Sequence, residues 1–271
     1  MNRSWTPGRR LAVSLLVAVL ASSLLTACGS SPATELSANE VARHPHDPGA
    51  FTQGLVWHDG WLYESTGLYG ESSLRRVELE TGAVEEVRYL EAEVFAEGLA
   101  RVGDALVQLT WRAERAYRWP IDGFARGDAP RAVHAYRGEG WGLCHDGERL
   151  VKSDGTPRLT FHDPDDFGLL GSVDVTLDGE PLARLNELEC VAGAVWANVW
   201  YEDRIVRIDP ASGQVEAWLD LSGLLTPAQR EEVGPQGVLN GLAWRPETGT
   251  MLVTGKLWPV VVEMRIEGFP D

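Results

Sequence analysis

The chain has 271 residues, 44% hydrophobic and 24% charged, with 40 acidic against 24 basic side chains and a formal net charge of −16 at pH 7. That acidity argues against nucleic-acid binding, because neutralising phosphates takes clustered Lys and Arg. It gives at most a weak general attraction for substrates with a free amine, and solubility explains it equally well. Three cysteines, with no Cys-x-x-Cys or His-x-x-x-His spacing, disfavour a zinc site.

At the N-terminus, Arg3, Arg9 and Arg10 precede or flank an apolar run from Leu11 to Leu25 that ends Leu25-Thr26-Ala27-Cys28. A basic region followed by a short apolar region is an export signal rather than a spanning helix. Small residues before a cysteine, followed by Gly29-Ser30-Ser31, resemble a bacterial lipoprotein signal. Residues 1–27 are then removed and Cys28 becomes the lipidated N-terminus, anchored to the cell envelope. The alternative is a simple signal peptide cut near Ala27, leaving a soluble secreted or periplasmic protein. Removal of three Arg and no acid takes the charge from −16 to −19. Residues 28–37 read as a polar tether and 38–271 as a single domain.

Within that domain a motif recurs five times. It reads F-T-Q-G-L at 51–55, F-A-E-G-L at 95–99, G-W-G-L at 140–143, L-N-E-L at 185–188 and L-N-G-L at 239–242. The closing Leu residues, 55, 99, 143, 188 and 242, are spaced by 44, 44, 45 and 54. Each copy is followed by a second short apolar strand, for example W-L-Y-E-S-T-G at 61–67 and A-V-W-A-N-V-W at 194–200, and then a third. Turns such as His-Asp-Gly and Val-Gly-Asp bound these runs, as in hairpins. Only T-P-A-Q-R-E-E-V at 226–233 reads as helix, where the last step lengthens. Four strands per repeat of about 44 residues is a propeller-blade signature, so five repeats predict an all-β, five-bladed β-propeller. The last repeat stops after its third strand, Val260 to Ile266, and the segment Asn39 to His44 is expected to add the strand that closes the ring. A closed ring leaves no edge for pairing, which predicts a monomer.

In a propeller the first strand of each blade lines the central channel, so equivalent positions converge. Two residues before the repeat Leu stand Gln53, Glu97, Trp141, Asn186 and Asn240. Twelve after it stand Gly67, Trp111, Gly155 and Trp200, and in the longer fifth hairpin Lys256 comes at fourteen. One carboxylate, three carboxamides, three Trp and one Lys are therefore expected to face one pocket. A carboxylate among Trp rings loses hydration, which raises its pKa toward the range useful for proton transfer. The blander possibility is that the polar groups hold only water and the Trp residues only pack between blades. Cys144 and Cys190, one and two residues after their Leu, alternate to opposite strand faces, so no disulfide is expected between them.

These copies, with L-Y-E-S-T-G-L-Y-G at 62–70, Q-L-T-W at 108–111, G-E-G-W-G-L at 138–143, K-S-D-G at 152–155, A-N-V-W at 197–200 and V-T-G-K-L-W-P at 253–259, resemble the glutaminyl-peptide cyclotransferases of plant and bacterial type. The resemblance spans about residues 44–268 and implies a five-bladed propeller acyltransferase that converts an N-terminal Gln of a peptide or protein into pyroglutamate and releases ammonia. Carried over by position, it implies Glu97 as general acid/base and Phe51, Gln53, Phe95, Trp111, Trp141, Asn186, Trp200 and Lys256 as the pocket; the chemistry of the tetrahedral step leaves Lys256, Gln53 and Asn186 as candidate donors to the oxyanion. It implies no required cofactor. Ala96 stands where Gly is expected. Two other classes stay open at this stage. One is a calcium-dependent lactonase-type hydrolase using the oxygens of Glu97, Gln53, Asn186 and Asn240, which could equally hold a structural calcium in the channel. The other is a non-catalytic surface-binding propeller.

Overall fold

Paired left-handed residues build the tight hairpins. Asp59 and Gly60, at φ 51° and 80°, join strands Thr52–His58 and Trp61–Thr66, and Ala192 and Gly193, at 51° and 76°, join Leu185–Val191 and Ala194–Val199. Two consecutive positive φ angles are the type I′ signature, whose twist matches that of the flanking strands. The computed structural model describes residues 1–2, 4, 32–124 and 127–268. The expected signal segment and Cys28 lie outside the described residues.

Five blade sheets result, each with four antiparallel strands, in chain order from the channel outward in blades 1 to 4; blade 4 gains a fifth, parallel strand at its rim, and a separate two-stranded sheet pairs Thr176–Leu177 with Glu180–Pro181. Blade 1 runs Thr52–His58 to Val84–Tyr89, blade 2 Ala96–Val102 to Ala132–Ala135, blade 3 Leu143–His145 to Leu169–Asp174 and blade 4 Leu185–Val191 to Val215–Asp220. Blade 5 holds Leu239–Arg245, Thr250–Gly255 and Val260–Ile266. Its fourth strand is Ala38–Pro45, antiparallel to Val260–Ile266, so the expected closure by the N-terminal segment is what the structure contains. Helix Pro227–Val233 occupies the long connection between blades 4 and 5. Thr226 caps it through a reciprocal capping box with Gln229, and Pro227 takes the first helical turn, where its missing N–H costs nothing.

The chain is ordered before that closing strand. Thr34–Glu35 pairs in parallel with Val215–Asp220 on the rim of blade 4, and Leu36 donates its N–H to Trp218 O at 2.8 Å. Leu36 also packs against the core between blades 4 and 5. Within the expected tether Thr34–Glu35 is thus a short strand and Leu36 is docked beside it, because blade 4 offers an unpaired edge and Leu36 an apolar surface to bury.

The hydrophobic core is divided among the five blade interfaces. Leu99 and Tyr63 meet between blades 1 and 2, Leu143 and Leu109 between 2 and 3, Leu188 and Phe161 between 3 and 4, Trp196 and Leu242 between 4 and 5, and Leu55 and Leu252 between 5 and 1. At the interface between blades 3 and 4, Cys144 and Cys190 form a disulfide with Cα atoms 5.4 Å apart. Their opposite strand faces, read from the sequence as disfavouring this bond, are what permits it. Neighbouring blades stack face to face, so the front of one inner strand meets the back of the next.

The inner strands approach too closely for side chains at the position just before the repeat Leu. A Cβ on Gly54 would lie 2.5 Å from Leu99 N, and one on Gly98 the same distance from Leu143 N. Blade 4 alone breaks the pattern, with Glu187. Its carboxylate crosses the axis and accepts the backbone N–H of Leu55 at 3.3 Å and of Leu242 at 2.8 Å, tying three blades together.

Candidate active site

Strand pairing slips at the repeat motif in blades 1, 2, 4 and 5, between Thr52 and Gly54, Ala96 and Leu99, Leu185 and Leu188, and Leu239 and Leu242. Each irregularity leaves the residue two before the Leu without a cross-strand partner. A bulge bends the strand and re-aims that side chain. Gln53, Glu97 and Asn186 are aimed in this way into one cavity of about 300 Å³, joined by Lys256. Its walls are Phe51, Phe95, Trp111, Trp141 and Trp200.

Nine of the ten pocket residues expected from the sequence therefore meet in one place. Asn240 does not line the cavity. It lies fully buried behind Gln53, donating from Nδ2 to Gln53 Oε1 at 3.2 Å and to Thr52 O at 2.9 Å. Gln53 in turn donates from Nε2 to Glu97 Oε1 at 3.2 Å. The chain Asn240 to Gln53 to Glu97 fixes which end of the Gln53 amide faces the carboxylate. Asn240 thus touches Gln53 and not the cavity.

The two expected glycines explain how the aromatic walls fit. A Cβ on Gly155 would lie 2.6 Å from the Trp141 ring, and one on Gly67 would collide with Phe95. Trp141 meets Trp200 edge to face at 5.2 Å and 86°, and Phe95 meets Trp111 at 5.7 Å and 65°. Such edge contacts are the favoured aromatic geometry.

Glu139 was not foreseen. One of its carboxylate oxygens accepts both the Trp111 indole N–H at 2.8 Å and that of Trp141 at 3.0 Å. The other accepts Arg112 Nε at 3.0 Å, and the Arg112 guanidinium lies 3.8 Å from the Trp111 ring. Two indoles from different blades are thus locked by one carboxylate. Its position two residues before Trp141 in G-E-G-W-G-L is the signal that could have found it. Leu68, Tyr201, Gln236 and Val238 also line the cavity and come from loops outside the repeat motif.

The electrostatics follow from burial. Desolvation pushes the Glu97 carboxyl well above its usual range; Lys256 opposes this and the charge of Glu139 adds to it. Burial likewise lowers Lys256 to about 8, against the pull of Glu97. The Lys256 ammonium lies 4.7 Å from the centre of the Phe51 ring, a cation–π contact that keeps it beside the cavity. A carboxyl raised by burial beside an ammonium lowered by it can exchange protons with a substrate amine.

A family model described as glutamine cyclotransferase matches residues 12–266. The chain belongs to the glutamine cyclotransferase family. A glutaminyl-peptide cyclotransferase of Arabidopsis thaliana is 38% identical over 228 residues, covering 84% of this chain and 70% of the plant protein. The crystal structure of Myxococcus xanthus glutaminyl cyclase superposes with a TM-score of 0.79 at 41% identity, covering 86% of this chain and 98% of that one. The five-bladed fold is thereby shared by a glutamine cyclotransferase relative of known structure. Among the described residues no three His, Cys, Asp or Glu side chains gather as a metal site requires.

Proposed function

We propose that Glu97 acts as general acid/base in this cavity to cyclise the N-terminal Gln of peptides and proteins to pyroglutamate. The chain is an acyltransferase of glutaminyl-peptide cyclotransferase type by its family and both relatives. The observation that carries the assignment of roles is the buried carboxyl of Glu97, raised by desolvation and sharing an aromatic-walled cavity with the buried ammonium of Lys256.

In the reaction the substrate's α-amine attacks the carbonyl carbon of its own side-chain amide. The new N–C bond closes a five-membered ring, the C–NH₂ bond breaks, and ammonia leaves. Holding amine and carbonyl together removes rotamer freedom in advance, and the rings of Trp111, Trp141 and Trp200 supply that grip while excluding water. Glu97 removes a proton from the attacking amine and returns it to the departing nitrogen. General acid/base groups contribute roughly 10²–10⁴-fold. Lys256 stabilises the tetrahedral oxyanion, with the Gln53 amide as second donor. Asn186 Oδ1 is buried with no partner and lies in the same cavity, an acceptor waiting for a substrate N–H.

A calcium-dependent hydrolase reading is disfavoured by Lys256, whose ammonium would share the cavity with the metal. Incubating the purified protein with a Gln-initiated dipeptide and measuring ammonia tests the assignment. Stoichiometric ammonia and pyroglutamyl product are expected. A folded protein that binds the dipeptide without releasing ammonia would instead establish a binding propeller.

Export and lipidation complete the reading. Residues 1–27 act as a lipoprotein signal and Cys28 carries the anchor, holding a monomeric propeller at the envelope; the Cys144–Cys190 disulfide suits such an oxidising compartment. Mass spectrometry of the mature N-terminus, with Cys28→Ala expected to move the protein from the membrane to the soluble fraction, decides between anchor and simple signal peptide.

A further inference from the structure

The mouth of the cavity is built from residues held in an unusual backbone conformation. Leu68 and Tyr201 are neither glycine nor asparagine, yet sit at φ 85° and 65°. Left-handed conformations are uncommon for bulky residues and persist where the surroundings enforce them, often at ligand sites. Both follow directly on the position that supplies the inner wall, Leu68 after Gly67 in blade 1 and Tyr201 after Trp200 in blade 4, and both line the cavity.

Beside them, aromatic rings face solvent. Tyr201 is 59% exposed although its ring lies 4.4 Å from that of Trp200, and Tyr69 is 52% exposed while its edge meets Phe95 at 5.4 Å. The apolar wall of the cavity therefore continues outward onto the surface at two blades. Nearby charges are engaged within the protein. Glu202, next to Tyr201, is held between Arg184 and Arg204, and Glu139 by Arg112 and two indoles. Apart from the Gln236 amide, the loop groups described at the mouth that can meet a ligand are rings and aliphatic side chains.

A peptide whose first residue fills the cavity must leave through this mouth. We propose that Leu68, Tyr69 and Tyr201 form a second subsite that takes the side chain of the residue after the N-terminal Gln, selecting aromatic and large aliphatic side chains. The inference rests on the glutamine reading of the cavity. Its energetic basis is apolar burial and edge-to-face ring contact, both absent when the second residue is glycine.

The test compares kcat/KM for Gln-Phe-Ala, Gln-Leu-Ala and Gln-Gly-Ala. The wild-type protein should prefer Phe and Leu over Gly by roughly 10-fold. Tyr201→Ala and Tyr69→Ala should each shrink that ratio toward one, while Tyr201→Phe, which keeps the ring, should preserve it. A ratio is insensitive to the fraction of folded enzyme, and the wild-type peptide series stands without any variant. Equal kcat/KM for the three peptides, or a preference unchanged in both alanine variants, overturns the subsite alone. Absence of ammonia from every Gln peptide overturns the glutamine reading beneath it.

Discussion

Gln53 and Glu97 are joined side chain to side chain, Nε2 to Oε1 at 3.2 Å, across the interface between blades 1 and 2. This contact aligns a carboxyl that burial has pushed well above its usual range. Glu97→Gln keeps the shape and removes the proton transfer. Turnover should fall by at least about 10² with the melting temperature little changed, since the Gln keeps the shape and still accepts from Gln53 Nε2. Steady-state ammonia release beside a thermal melt checks it, and wild-type turnover in the folded variant would refute the role.

In the proposed mechanism Lys256 should set the alkaline side of the pH profile. Burial lowers its pKa to about 8, so the ammonium is present below that value and is lost as pH rises through it. Glu97, raised by burial, must be ionised to act as a base, so activity should also fall as pH drops through its elevated pKa. A bell-shaped profile is expected. In Lys256→Ala the alkaline limb attributable to the ammonium should disappear and kcat fall by about 10²; a change in KM alone would make Lys256 a substrate-orienting group instead.

Glu139 couples the walls to the acid/base. Its charge helps raise Glu97, and its carboxylate holds Trp111 and Trp141 together. Glu139→Gln removes the charge, so Glu97 should ionise more readily and the acidic limb should move to lower pH. KM should change little in this variant, because the Gln carbonyl can still accept both indoles, and should rise by about 10-fold in Glu139→Ala, which removes that acceptor. A pH profile superimposable on wild type would leave Glu139 no electrostatic part.

Deletion of residues 36–45 removes the strand Ala38–Pro45 from blade 5 and with it His46's immediate neighbour Pro45. His46 joins Trp258 O at 2.6 Å to Glu64 Oε1 at 3.0 Å, so the loss spreads to blade 1. The truncated protein should melt far below the full chain, or fail to fold cooperatively, in calorimetry. An unchanged melt would mean the ring closes without this strand.

The Cys144–Cys190 bond spans 46 residues of chain. Loop-closure entropy gives it up to about 4 kcal/mol. Cys144→Ser with Cys190→Ser should lower the melting temperature by roughly 10 °C. Reductant should do the same to the native protein and nothing to the double variant.

Blade count, ring closure and seven of the eight residues that the repeat places at the pocket follow from the period of the chain, while Phe51 and Phe95 are reached only through the family resemblance. Each blade repeats one hydrogen-bonded pattern, so equal spacing along the sequence becomes equal radius in the ring, and Glu97 stands out as the carboxylate among five equivalent positions. Contacts between blades are another matter. The disulfide, the clamp of Glu139 on two indoles, the withdrawal of Asn240 behind Gln53 and the mouth formed by Leu68 and Tyr201 all depend on which face of one blade meets which face of the next. That relation has no period in the sequence. It is decided only when the inner strands close the ring and the side chains at each interface pack.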